Sequence, residues 1–204
     1  MFRGFDPTAA LLALVITSLA LWLLQPVARR LNLLDHPAGR KDHAVPTPVT
    51  GGLAILIGCV VAFFAVQTSS NSLLAFCGAA LLLVIVGIYD DLYDIRWYWR
   101  ILAQALAALN IIHWGGVRVE QLGPLFGLGE TSLGMLSIPF TVFATVGLIN
   151  AMNMIDGADG LAGSLGLAAL LMLAAASVYA GNDLLATRLS VLCGALAGFL
   201  AWNI

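Results

Sequence analysis

Long apolar stretches alternate with short polar segments along the whole chain. The first stretch, residues 8–28, is 21 residues without a charged side chain. About 20 apolar residues suffice for a helix to cross the hydrocarbon core of a bilayer. The next charge-free window, residues 49–89, is too long for one crossing. The polar run Gln67-Thr68-Ser69-Ser70-Asn71-Ser72 divides it into spans at 49–66 and 73–89. A fourth helix is expected over 97–113. It opens on Trp97, Tyr98 and Trp99, an interfacial aromatic anchor, with Arg100 placed to snorkel to the interface. The glycine-rich connection 114–134 contains Val117-Arg118-Val119-Glu120, whose alternation predicts a short strand or hairpin. Spans at 135–149, 161–180 and 184–202 follow, with Pro139 tolerated in the first turn of its helix. The pattern predicts an all-α integral membrane protein of about seven transmembrane helices. It forms one membrane domain over residues 1–204, with a strand or hairpin on the extracytoplasmic side between helices four and five.

Composition agrees. Hydrophobic residues make up 61% of the chain and charged residues 10%, against about 45–50% and about 25% in soluble domains. A net charge of −2 gives no pointer to nucleic acid. Cys59, Cys77 and Cys193 each lie singly in an apolar run and read as small hydrophobes. The first stretch is longer than a signal-peptide core, and its basic residues, Arg29 and Arg30, follow it rather than precede it. Both features mark a retained helix.

Seven crossings place the termini on opposite sides. With the N-terminus outside, Arg29, Arg30, Arg40, Lys41, Arg96 and Arg100 face the cytoplasm, and only Arg3, Arg118 and Arg188 face out. This six-to-three bias fits the positive-inside rule. Seven of the eleven acids, Asp35, Asp42, Asp90, Asp91, Asp94, Asp156 and Asp159, fall on the same inner side. The rule does not require acids there, and facing carboxylates repel. A divalent cation is the usual remedy.

Three polar segments stand out on that side. The first contains Arg40-Lys41-Asp42-His43 and, after Pro46-Thr47-Pro48, ends on Gly51-Gly52. It reads either as a juxtamembrane basic loop or as a phosphate clamp, with cationic donors and a glycine pair open to close backbone approach. The second is Asp90-Asp91-Leu92-Tyr93-Asp94. If the helix continues, Asp94 shares a face with Asp90 and Asp91; the alternative is a solvated turn. In the third, Asn150, Asn153, Asp156 and Asp159 recur at every third residue, with Gly157 and Gly160 breaking the helix. Such hard oxygen ligands suit Mg²⁺, with Mn²⁺ as a substitute.

The run Asn150-Ala151-Met152-Asn153-Met154-Ile155-Asp156-Gly157-Ala158-Asp159-Gly160 resembles a signature of the polyprenyl-phosphate N-acetylhexosamine-1-phosphate transferases, glycosyltransferase family 4. Gly87-Ile88-Tyr89-Asp90-Asp91 with Asp94 resembles the family's aspartate pair, and the Arg40–His43 loop with Pro48, Gly51 and Gly52 its first cytoplasmic loop. The asparagine-rich third segment is most similar to the undecaprenyl-phosphate N-acetylglucosamine-1-phosphate transferase branch. The resemblance implies transfer of a sugar-1-phosphate from a UDP-sugar to a polyprenyl phosphate, releasing UMP, with Mg²⁺. The reaction would be the first membrane step of cell-envelope polysaccharide synthesis, such as lipopolysaccharide or O-antigen, on the cytoplasmic face of a bacterial inner membrane.

The resemblance also implies residue roles. Asp90, Asp91 and Asp156 would be catalytic. Arg40, Lys41, His43, Asp94, Asn150 and Asp159 would bind substrate. Asn153 and Asp156 would line the metal site. A homodimer is compatible with it. Family members continue into a glycine-aspartate motif and a histidine-rich loop that do not occur before Ile204. The chain is therefore expected to be the N-terminal portion of a longer transferase fold, inactive alone; the alternative is a non-catalytic remnant or scaffold of the family. Other classes fit less well. A CDP-alcohol phosphatidyltransferase would need alanine, arginine, glycine and two aspartates where Gly163, Ser164, Leu173, Ser177 and Gly181 stand. A transporter would carry its coupling acids near mid-membrane, not at one edge.

Overall fold

A computed structural model describes residues 4–35, 47–66, 70–124, 130–155 and 160–203. Seven α-helices occupy the described residues: α1 (Pro7–Arg30), α2 (Gly51–Val66), α3 (Asn71–Tyr93), α4 (Trp97–Gly115), α5 (Ser137–Ile155), α6 (Leu161–Tyr179) and α7 (Asp183–Asn203). Each coincides with one of the seven expected apolar stretches. Five of them (α1, α3, α5 with its leading 3₁₀ turn, α6 and α7) are long and apolar enough to cross a membrane, and α2 is a shorter apolar helix. Two antiparallel pairs complete the described structure. Strand β1 (Leu34–Asp35) pairs with β2 (Thr47–Pro48), and β3 (Gln121–Pro124) pairs with β4 (Glu130–Ser132).

The chain divides into two compact units, Met1–Thr68 with Met154–Ile204, and Ser69–Asn153. In the first unit α1 is held between α2 and α7. Asp6 caps α1: its Oδ1 accepts from the backbone N–H groups of Thr8 and Ala9, and Pro7 takes the first helical position, where no N–H is needed. The Asp6 N–H donates to Ser190 Oγ on α7 at 3.0 Å. Gly194 and Gly198, four apart on α7, let the α1 backbone approach. A Cβ at 194 would overlap the Ala10 carbonyl, and one at 198 would lie 2.6 Å from the Leu14 carbonyl oxygen. This small-xxx-small pairing lets two helices pack closely where lipid removes the hydrophobic drive between them. On the other flank, Gly58 of α2 meets Thr17 and the Ala13 carbonyl. Ala20, Leu21 and Ala54 form a buried cluster, closed by Leu24, Ile57 and Phe199. The Phe199 ring also fills the space beside Gly51, so that glycine serves packing against α7.

In the second unit α3 and α4 form a helical hairpin. Ser70 Oγ accepts from the Leu73 N–H and caps α3. The charge-free window placed the end of this helix at Tyr89, but α3 runs one turn further, through Asp90 and Asp91, and stops at Asp94. That residue adopts the left-handed conformation (φ 48°), with its N–H bonded to the Asp90 carbonyl at 2.8 Å. Charge does not end a helix; the left-handed residue does. Further along, Asn110 of α4 donates to the Ala75 carbonyl of α3 at 2.7 Å. The hairpin expected at Val117–Glu120 forms a few residues later, at β3 and β4. Val119 is committed to the start of α5 instead: its N–H donates to Thr141 Oγ1 at 2.9 Å and its carbonyl accepts from Ser137 Oγ at 2.6 Å. Both peptide groups are satisfied by side chains, so residue 119 joins no ladder.

Candidate functional site

The aspartate segment ends α3, and α4 begins three residues after it. Arg100, near the start of α4, donates from Nη1 to Asp90 Oδ2 at 2.9 Å. Arg100, expected at the interface, thus pairs across the turn with Asp90. The Asp90 side chain is 19% exposed, and its Oδ1 is enclosed with no hydrogen-bond partner. Asp91 is exposed at the helix end. Asp94 is exposed too, but its left-handed backbone takes it off the helix, so it does not share the helical face with Asp90 and Asp91 that a continuing helix would give. Arg96, which precedes the first turn of α4, donates to the Tyr98 hydroxyl at 3.3 Å.

The asparagine segment ends α5. Sequence reading stopped this helix at Ile149; it continues to Ile155, so Asn150 and Asn153 lie on its last turns. Asn150 Nδ2 donates twice, to Gln104 Oε1 of α4 at 2.6 Å and to the Val146 carbonyl at 2.8 Å. Asn153 is exposed one turn further along. The α5 start is bonded to Val119, just past the end of α4, and its last turns to Gln104, in the first half of α4. The two helices are therefore antiparallel. This brings the Asp90–Asp91 end of α3 and the Asn150–Asn153 end of α5 to the same end of the second unit. Arg40, Lys41, His43, Asp156 and Asp159 lie outside the described residues. Among the described residues, no three His, Cys, Asp or Glu side chains converge as a metal site.

Gln104 had not been singled out. Its signal was legible: an amide one turn past Arg100, flanked by the apolar runs Ile101–Ala103 and Ala105–Leu109, is costly in lipid unless it has a partner. An apolar groove of about 320 Å³ runs beside these residues along the α3–α4 seam, lined by Leu82, Val86, Tyr89, Trp99, Ala103 and Leu106. Tyr89 stacks on Tyr93 at its aspartate end, with ring centroids 4.6 Å apart. A second groove of about 560 Å³ lies at the other end of the same hairpin, among Asn71, Gly78, Asn110 and His113.

These helices, long, apolar and tipped at one end with carboxylates and carboxamides, make the chain a multi-pass membrane protein with a polar site at a helix-end cluster. Residues 73–204 match the profile of glycosyl transferase family 4. The chain belongs to that family. It is 30% identical, over 94% of its length and 54% of the relative's, to a Bacillus subtilis protein named a probable undecaprenyl-phosphate N-acetylglucosaminyl 1-phosphate transferase. It is 36% identical, over 69% of its length and 39% of the relative's, to an undecaprenyl-phosphate alpha-N-acetylglucosaminyl 1-phosphate transferase of Yersinia pestis. A decaprenyl-phosphate N-acetylglucosaminephosphotransferase of Mycobacterium tuberculosis is 33% identical over 95% of this chain and 52% of its own length. The chain spans about half the length, or less, of these curated relatives. The family resemblance read from the three polar segments is thereby borne out.

Proposed function

We propose that this chain carries part of the active site of a UDP-sugar:polyprenyl-phosphate sugar-1-phosphate transferase. The sugar is N-acetylglucosamine and the acceptor undecaprenyl phosphate, as the relatives' names suggest. The observation that carries this reading is the shared frame on α4. Arg100 bonds Asp90 and Gln104 bonds Asn150, so both motif-bearing helices are tied to one turn of α4, and an apolar groove runs along the α3–α4 seam. A lipid phosphate needs that combination: polar groups at a membrane edge and an apolar channel for the chain behind it.

In the reaction, an oxygen of the acceptor phosphate bonds to the sugar-bearing phosphorus of the UDP-sugar. The bond from that phosphorus to the bridging oxygen breaks, and UMP leaves with the electron pair. We assign the proton of the acceptor phosphate to Asp91. Its carboxylate is exposed at the helix end, within reach of an acceptor phosphate; the Asp90 carboxylate is bonded to Arg100 through one oxygen and enclosed at the other. Asp90 then acts as the fixed member that orients the end of α3. Arg40, Lys41 and His43 would offset phosphate charge, Asp94 and Asn150 would border the substrates, and Asp159 would lie toward the nucleotide.

The donor chemistry fits Mg²⁺. The exposed Asn153 amide offers a hard oxygen at the C-terminal end of a helix, where the helix dipole favours a cation. Asp156, three residues after Asn153 in the sequence, would supply a second oxygen. Mg²⁺ bound by one or two protein groups completes its shell with water and substrate phosphates, and it would neutralise charge on the diphosphate. The basic bias supports a cytoplasmic face for the Asp90 and Asn150 ends of α3 and α5 in a bacterium, where UDP-sugars are made, and the product would be the first lipid-linked intermediate of an envelope polysaccharide.

The test is an assay on membranes containing the full gene product that carries this chain. UDP-N-acetylglucosamine, undecaprenyl phosphate and Mg²⁺ should give UMP and lipid-linked N-acetylglucosamine phosphate. Absence of both products from folded protein would favour a non-catalytic scaffold.

A further inference from the structure

We propose that Gln104 is a positioning residue of the site, setting the axial register of the α5 end against α4; the proposal rests on the catalytic reading above. Gln104 is 5% exposed, among the buried Ala103, Ala107 and Ala108 of α4. A carboxamide there is tolerated only if it is hydrogen-bonded. Its Oε1 accepts from Asn150 at 2.6 Å. The second Nδ2 proton of Asn150 goes to Val146, one turn back on its own helix, and this fixes the amide plane. The bond is therefore directional: it ties one side-chain atom of α4 to one turn of α5.

Its value lies in what else α4 holds. Arg100 and Gln104 are four residues apart and share a face. One turn of α4 thus grips Asp90 of α3 through Arg100 and Asn150 of α5 through Gln104. Asn153 follows Asn150 by three residues, so its place relative to Asp90 depends on this register. A slip of α5 by one residue would move its end by about 1.5 Å and turn it by about 100°. A displacement of about 1 Å at a reacting centre costs on the order of 100-fold in rate.

The experiment compares Gln104→Leu, Gln104→Met and Gln104→Glu, which keeps an oxygen to accept from Asn150, with the unaltered full-length protein in proteoliposomes. It uses two readouts. The first is kinetic: for Gln104→Leu and Gln104→Met, kcat should fall about 10- to 100-fold, with KM for undecaprenyl phosphate changed less than about threefold; Gln104→Glu should retain most of the activity. The second is a distance between spin labels at Tyr93 and Ala151, exposed positions near the ends of α3 and α5. It should be narrowly distributed in the unaltered protein and in Gln104→Glu, and broadened or shifted in the two apolar variants. An unchanged distance distribution with unchanged kcat in the apolar variants would overturn the proposal. So would loss of folded protein in both apolar variants while kcat per folded molecule stays normal, since that is the mark of a merely structural amide. A changed distance in a protein that makes no lipid-linked sugar in any form would sustain the register claim and remove the transferase reading.

Discussion

Asp90 and Arg100 lie ten residues apart in the chain and 2.9 Å apart across the turn from α3 to α4. The pair is partly enclosed, and one Asp90 oxygen has no other partner. Arg100→Ala would leave that carboxylate with neither oxygen bonded. The expected cost is about 1–3 kcal/mol, read as a lower thermal midpoint in detergent. Asp90→Ala/Arg100→Ala should be less destabilised than the sum of the single variants. Strict additivity would show that the pair is uncoupled.

Asp91 and Asp90 should separate under substitution. Asp91→Asn is expected to lower kcat by about 100-fold or more, the lower bound for a lost general base, and to lower the melting temperature less than Asp90→Asn does, because Asp91 is exposed and Asp90 is partly enclosed. Asp90→Asn should lower both. Activity loss without any stability loss at Asp90 would count against its orienting role.

Metal removal gives a third outcome. Chelation with EDTA should abolish product formation by the full-length protein, and Mg²⁺ or Mn²⁺ should restore it, while Ca²⁺, which prefers more ligands at longer distance, should restore little. Turnover that persists after exhaustive chelation would exclude a metal at Asn153 and Asp156.

The α1–α7 contact can be probed by size. Gly198→Leu pushes a side chain into the Leu14 backbone, 2.6 Å from the first added carbon. It should cost about 1–3 kcal/mol or more. Gly147 on α5 has open space around its Cβ position, so Gly147→Ala should be neutral or stabilising by up to about 1 kcal/mol, the helical preference of alanine over glycine. Stability in mixed micelles titrated with denaturing detergent would rank the two.

Asp6 carries a pH signature. The Thr8 hydroxyl bond, first, and then the Ala9 amide bond hold its carboxyl below the ordinary aspartate range. The charged form is the better cap, so its contribution is complete above the ordinary pKa of about 4 and is lost as pH falls through the lowered value. Asp6→Ala should cost about 0.5–2 kcal/mol at neutral pH, and the gap to the unaltered protein should close in acid. A gap independent of pH would show that the carboxylate charge plays no part in the cap.

Helix number and approximate limits were legible because run length against bilayer thickness is a direct physical constraint. The ends of α3 and α5 were misplaced for one shared reason. Asp90, Asp91, Asn150 and Asn153 broke the apolar windows, yet polar side chains continue a helix readily once its end lies clear of hydrocarbon. The stop at Asp94 depends on one left-handed residue, which no apolar window reports. The motif residues could be picked out one by one, but the bonds that gather them could not. Gln104 and Asn150 are 46 positions apart, and pairing at that distance is settled by tertiary packing. The Gly194 and Gly198 spacing was present in the sequence, but only the facing backbone of Ala10 and Leu14 gives it meaning.

The contact between α1 and α7 also sets an order of biogenesis. Asp6, which caps α1, and Ser190 of α7 are bonded across 184 residues of chain. At about 5–20 residues per second, the ribosome delivers the second roughly ten to forty seconds after the first. Meanwhile α1 can pair with α2 and otherwise face lipid, which its apolar surface and internally bonded backbone tolerate. The unit over Ser69–Asn153 is contiguous, so α3, α4 and α5 all leave the translocon before α7 exists. The helices carrying the aspartate and asparagine segments can therefore settle their mutual register before α1 meets α7.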